Sequence, residues 1–182
     1  MILTGPEIVK EVEYQRIHIK PFDPETVGPN SYDLRLGDTL KTYARCGNDG
    51  VWSQPRLDPK LEMEMESYHI QPAGHWLYPG VLYLANTVEE AGSDWYVPML
   101  EGRSSLGRLG LKVHVTAGFG DLGFMRQWTL ELEVTHPLKV YRGMRVCQVY
   151  FHTIQGEKKF YEGKYQQSKG AEASQSWRDF EG

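Results

Sequence analysis

Two arginines and two serines fall within six residues in the run Glu101-Gly102-Arg103-Ser104-Ser105-Leu106-Gly107-Arg108-Leu109-Gly110. A guanidinium offers a fixed fork of donors to phosphate oxygens, and serine hydroxyls add neutral donors at short range. The glycines around them let the backbone approach a ligand closely. By residue type alone the run is equally a polar loop rich in turn formers. It is not a Walker loop, because the Gly-Lys-Ser/Thr ending is missing. Two carboxylates follow. Asp121 stands in the glycine-dense stretch Val113-His114-Val115-Thr116-Ala117-Gly118-Phe119-Gly120-Asp121-Leu122-Gly123-Phe124, which reads as a hairpin. Glu131 stands in Trp128-Thr129-Leu130-Glu131-Leu132-Glu133-Val134, on the face opposite its apolar partners. Taken singly, the first is ordinary turn chemistry and the second belongs to a solvated strand face. None of the six histidines is followed two residues later by Glu, and the two cysteines, Cys46 and Cys147, form no Cys-x-x-Cys pair. The sequence therefore offers no paired-cysteine metal motif such as a zinc ribbon.

The elements that must position these side chains read as strands. Nineteen glycines and ten prolines punctuate the chain at intervals too short for long helices. One helix is expected near the start, where Thr4 and Glu7 stand at capping-box spacing with Pro6 in the first turn. Period-two alternation then runs through Ile17 and Ile19, Leu34 and Leu36, and Trp128 to Val134. Met144 to Phe151 is mostly apolar on both faces, as a central strand should be. From about Gly156 the chain turns polar. These features predict one all-β sandwich or barrel over residues 1–182, with a short N-terminal helix and a mobile C-terminal tail.

Composition narrows the function. A chain of 182 residues fits one domain and can bury a core without disulfide or metal staples. Charged residues at 24% and aromatics at 12% are an ordinary globular balance. Twenty Lys and Arg against 24 Asp and Glu give a net charge of −4, the wrong sign for a protein living on nucleic acid. No apolar run approaches the roughly 18–20 residues of a membrane span. Met1 to Glu7 lacks the basic start and apolar stretch of a signal peptide. Cys46 and Cys147 read as buried thiols of a reducing compartment, which predicts a cytoplasmic location with no membrane partner.

Together these segments resemble the dCTP deaminase family of the trimeric dUTPase superfamily. The resemblance runs from Met1-Ile2-Leu3 and Pro29-Asn30-Ser31-Tyr32-Asp33-Leu34-Arg35-Leu36-Gly37 through Glu101 to Leu111. It continues in Thr116-Ala117-Gly118, Thr129-Leu130-Glu131-Leu132 and Pro137-Leu138, and ends in Gly143-Met144-Arg145-Val146-Cys147-Gln148 and Tyr161-Glu162-Gly163-Lys164-Tyr165. It implies a dUTPase-like β-barrel or jelly-roll whose residues 161–182 form a lid. It also implies deamination without a catalytic metal, with Glu131 moving the protons and Ser104 and Arg108 orienting Glu131 and its water. The triphosphate would meet Arg103, Ser104, Ser105, Gln148 and Lys164, partly from a neighbouring subunit of a homotrimer. Mg²⁺ would come with the phosphates and no zinc would be needed. Asp121 matches the carboxylate on the deoxyribose 3′-hydroxyl, and Thr116, Ala117, Thr129, Tyr161 and Ser168 complete the implied substrate shell.

Thr116-Ala117-Gly118-Phe119 resembles the bifunctional deaminase–dUTPases, which favours dCTP to dUMP as the reaction. The alternatives are a deaminase that stops at dUTP, a dUTPase, and a non-catalytic nucleotide-binding member. Four residues depart from the family pattern. Gly120 replaces a branched aliphatic, Leu122 a Pro or Ala, Arg126 a Gly, and Ser168 a Gln.

Overall fold

The structure is a computed structural model and describes residues 1–46 and 52–181. It runs α1 (Gly5–Glu13), β1 (Ile17–Lys20), β2 (Tyr32–Thr42), β3 (Arg45–Cys46), β4 (Trp52–Ser53), β5 (Glu66–His69), β6 (His75–Leu77) and β7 (Tyr83–Ser93). There follow β8 (Tyr96–Gly102), α2 (Ser104–Gly107), β9 (Leu111–Lys112), β10 (Arg126–Val134), β11 (Leu138–Val140) and β12 (Arg145–Thr153). Short 3₁₀ turns lie at Pro24–Thr26 and Ser176–Phe180. The all-β class, the short helix and the near-closed sheet agree with the expectation. Among the described residues no helix is long and apolar enough to cross a membrane.

The main sheet is antiparallel, ordered β8-β12-β2-β7-β10-β9, with β1 added to β7 and β5 to β2. Its inner face carries Tyr32, Leu34, Leu36, Tyr83, Leu100, Leu130, Leu132, Val149 and Phe151, all buried in one cluster. The alternation read at β1, β2 and β10 is the burial pattern found. The central strand differs. β12 is paired on both edges, by β8 and β2, yet its outer face leaves Gln148, Tyr150 and His152 part-exposed. The strand covered on nearly its whole length is β7, despite Asn86, Thr87 and Glu89 in its sequence.

Helix α1 begins where expected, but the Thr4 side chain makes no capping bond. The Gly5 N–H instead donates to the Pro29 carbonyl at 2.7 Å, so a neighbouring loop closes the helix start. Cys147 is buried, and burial pushes its thiol pKa up, as for an inert core cysteine. The Cys46 side chain lies outside the described residues. The glycine-dense stretch is not a hairpin. It is an irregular segment pinned to β8 by Leu100 N–H to the Gly118 carbonyl at 2.6 Å and Gly120 N–H to the Pro98 carbonyl at 2.9 Å.

Buried charge in the sheet is paired. Glu89 of β7, fully buried, accepts from the Arg35 side chain through Oε1 at 2.5 Å and from the Arg35 backbone N–H through Oε2 at 2.8 Å. Removing one partner of such a pair strands the other. Glu89→Ala is therefore expected to lower unfolding free energy by roughly 2–4 kcal/mol, discounted for the partial exposure of Arg35. Urea denaturation reads this directly, and a loss below about 1 kcal/mol contradicts the pairing argument.

Candidate active site

A cleft of about 450 Å³ opens between the end of β2, the middle of β10, the irregular segment and the C-terminal tail. Ala117, Asp121, Thr129, Glu131, Tyr161 and Ser168 line it, which brings together six of the residues singled out in the sequence. Glu131 sits on β10 with its backbone N–H donating to the Val113 carbonyl at 2.9 Å. Its Oε2 accepts from the Val115 N–H at 2.7 Å. One oxygen is thus fixed by the irregular segment, and among the described residues the other has no hydrogen-bond partner. Asp121 stands exposed on the same segment.

The remaining expected residues stand elsewhere. Ser104, Ser105 and Arg108 are exposed on and just after α2, and none of them lines the cleft. Arg103 Nη2 lies 3.2 Å from Asp33 Oδ2. The Gln148 side chain donates to the Gly102 carbonyl at 3.2 Å and accepts from the Ser31 hydroxyl at 2.9 Å. Thr116 is exposed beyond the cleft edge, and Lys164 is paired with Asp179 in the tail. Within one chain, then, Glu131 and the serine–arginine run stand apart.

The tail lies docked along the cleft. Tyr161 N–H donates to the Leu122 carbonyl at 2.8 Å, and Arg126 Nε to the Gln166 carbonyl at 3.2 Å. Gly170 N–H reaches Gln127 Oε1, Glu172 N–H reaches Thr129 Oγ1, and Ser174 N–H reaches the Tyr43 hydroxyl. The tail expected to be mobile is thus seen in a closed arrangement. Ser168 is buried against the cleft, and its hydroxyl has no hydrogen-bond partner among the described residues.

Sequence reasoning missed the aromatic wall. Trp128, Phe124 and Tyr165 line the cleft with Tyr43, Leu82 and Leu84. Phe124 makes edge contacts with Trp128 at 6.0 Å and Tyr161 at 5.9 Å. The Tyr161–Tyr165 motif pointed to part of this wall, but Tyr43 and Leu82 come from the loop ends just after β2 and just before β7, with no local signal. Trp128 also accounts for one departure. A Cβ on Gly120 would stand 2.8 Å from Trp128 Cζ2 and 2.9 Å from Pro98 Cγ. The indole fills the space that a branched side chain at position 120 would need.

A family model described as dCTP deaminase-like matches residues 2–154. The chain belongs to that family. It is 47% identical to "dCTP deaminase, dUMP-forming" of Leptospira biflexa over all 182 residues, spanning 99% of that relative. It is 46% identical over the same length to the protein of that name from Clostridium botulinum. A solved structure, the 2′-deoxycytidine 5′-triphosphate deaminase of Agrobacterium tumefaciens, superposes with a TM-score of 0.62 at 20% identity. That match covers 84% of this chain and 48% of the other, so this chain spans about half of that one, and the likeness supports the fold.

The Gly120–Trp128 contact makes a test specific to this family member. Gly120→Val forces the indole or the Asp121 segment to move, at about 1–3 kcal/mol for overpacking. Adding Trp128→Leu to it should recover part of that loss. Chemical denaturation of the two single variants and the double completes the cycle, and strict additivity would rule out the coupling.

Proposed function

We propose that the protein deaminates dCTP and cleaves the product to dUMP, releasing ammonia and diphosphate and so supplying deoxyuridylate for dTTP synthesis. The observation that carries this is end-to-end identity of 42–47% with relatives named dCTP deaminase, dUMP-forming. The geometry around Glu131 is compatible with it. With one carboxylate oxygen held by the Val115 N–H, the other faces the cleft, where a water and a cytosine ring can sit.

In the first reaction Glu131 takes a proton from water as the oxygen adds to C4 of the base, and delivers it to N3. It then passes the second water proton to the amino group, which leaves as ammonia. In the second, a water oriented by Asp121 attacks the α-phosphorus, and diphosphate departs. The two carboxylates stand on different elements of one cleft, which suits attack at opposite ends of a nucleoside.

Charge argues for a second chain. Among the described residues, those lining the cleft include Asp121, Glu131 and Glu172 and no Lys or Arg. A triphosphate needs cations, and this chain presents Arg103 and Arg108 beside exposed Ser104 and Ser105, away from its own cleft. On our proposal a neighbouring copy in a homotrimer supplies that run, bringing Ser104 and Arg108 to Glu131 and Arg103, Ser105 and Gln148 to the phosphates. Lys164 exchanges Asp179 for phosphate, and Ser168, Thr116, Ala117, Thr129 and Tyr161 bound the nucleoside. Among the described residues no three His, Cys, Asp or Glu groups converge as a metal cage. Mg²⁺ would enter with the triphosphate and would serve to screen the phosphate charge. Residues 1–182 act as one domain, with 161–182 the lid.

Two variants separate the half-reactions. Glu131→Gln is expected to bind nucleotide yet lose roughly 10²–10⁴-fold in ammonia release. Near-normal release from that variant removes Glu131 from the chemistry. Asp121→Asn should retain deamination and let dUTP accumulate. A parallel fall in both activities would make Asp121 a shared sugar contact instead.

A further inference from the structure

Strand β12 loses its alternation at its first residues. Arg145 pairs with Arg35 of β2, but Cys147 pairs with Leu34 and Gln148 with Asp33, so one extra residue is inserted at Val146. Val146 and Cys147 are both buried in succession, which is how the insertion shows in the packing. Such a bulge re-aims the side chain beside it. Here it places Arg145 on the outer face together with Gln148, where strict alternation would have opposed them.

The position is costly without a purpose. Arg145 lies directly across from Arg35, and like charges in that relation repel. Arg35 is committed to buried Glu89. Arg145 turns to Asp33, its Nη1 lying 3.4 Å from Oδ2, the same oxygen that Arg103 Nη2 approaches at 3.2 Å. Arg103 Nη1 also donates to the Arg145 carbonyl at 3.3 Å. Two guanidiniums therefore share one carboxylate oxygen at the foot of the serine–arginine run. Among the described residues the Arg145 side chain has no other hydrogen bond, and it is 48% exposed. Most of its donors are left for an anion with several oxygens.

We propose that Arg145 is a second polyphosphate-binding arginine, held beside Arg103 by Asp33 and turned outward by the β12 bulge. This rests on the reading above that Arg103 and Gln148 face the triphosphate. Asp33 is a positioning residue that keeps both forks aimed at one place. When a polyphosphate arrives, its oxygens replace the shared carboxylate oxygen as the main acceptor for each guanidinium, and no covalent step is involved.

Steady-state kinetics with dCTP and competition by inorganic tripolyphosphate test this on the full-length protein. Arg145→Gln should raise KM for dCTP by at least about tenfold, with kcat within about threefold of the parent. Tripolyphosphate inhibition should weaken by a similar factor. Arg145→Lys keeps the charge but not the fork and should fall between parent and Gln variant. It also carries the test should Arg145→Gln fold poorly. Arg103→Gln, assayed beside them, tests the underlying reading. If Arg103→Gln raises KM and both Arg145 variants leave KM and tripolyphosphate inhibition unchanged, Arg145 is a surface residue and the proposal is overturned alone. If none of the three variants alters either quantity, the phosphate assignment of the whole run falls with it. A loss of kcat at unchanged KM also overturns the proposal.

Discussion

Strand β7 sets the terms for everything around it. Paired along one edge by β2 and β1 and along the other by β10, and buried over most of its length, it leaves no open water for Asn86, Thr87 and Glu89. Asn86, Thr87 and Glu89 must find partners within the sheet, since each unpaired buried group costs about 1–3 kcal/mol. Thr87 solves this by donating to the Glu89 carbonyl at 2.6 Å and accepting from the Trp128 N–H at 2.9 Å. That detour breaks the β10 register: Gln127 pairs with Glu90, but Thr129 pairs with Asn86. The cleft is built on the break. Trp128 is anchored there by its indole N–H on the Ala91 carbonyl, and its ring abuts Gly120, next to Asp121. Thr129 and Glu131 follow on the face that the tail covers.

A second irregularity lies beside the serine–arginine run. The bulge in β12 brings Arg145 to the Asp33–Arg103 pair, while Glu89, reaching from β7 to Arg35, neutralises the charge just beneath. Glu131 and the serine–arginine run thus both sit near places where the ladder departs from regular pairing, and buried polar groups of one strand connect them. Regular pairing builds the scaffold. The departures aim the side chains.

The alternating strands, the helix start and the acid on β10 were legible because each leaves a local signature within a few residues. Asp121, Glu131, Ala117, Thr129, Tyr161 and Ser168 converge because the segments carrying the resemblance also carry the cleft. What the pattern hid was non-local. β7 reads as half polar, and only the partners of Asn86, Thr87 and Glu89 explain why it is buried. The Thr4–Glu7 spacing suggested a capping box, but the loop at Pro29 satisfies the helix start from 24 residues away in sequence. The hairpin reading failed because Gly118 and Gly120 pair with β8 rather than with each other's flanks. Tyr43 and Leu82 reach the cleft only through sheet order, which no local spacing encodes.

The four departures from the family pattern lie around the seam of tail and sheet, though the Leu122 contact is through its backbone, which any residue there would supply. Leu122 lends its carbonyl to Tyr161, Arg126 holds the Gln166 carbonyl, and Gly120 makes room for the indole on the cleft floor. Ser168 leaves a buried hydroxyl without a partner among the described residues. These bonds are worth about 0.5–1.5 kcal/mol each, while ordering each tail residue costs about 1–2 kcal/mol. Within residues 161–181 only Ser168 and Ala171 are buried, so apolar burial adds little to close that gap. Hydrogen bonds to the sheet therefore define where the tail docks better than they hold it there. The orphaned Ser168 hydroxyl and the Lys164 ammonium, paired with mostly exposed Asp179, are the groups with the most to gain from a ligand. On the proposed function a nucleotide triphosphate would supply acceptors to both, and so would contribute to closure what the protein's own contacts lack.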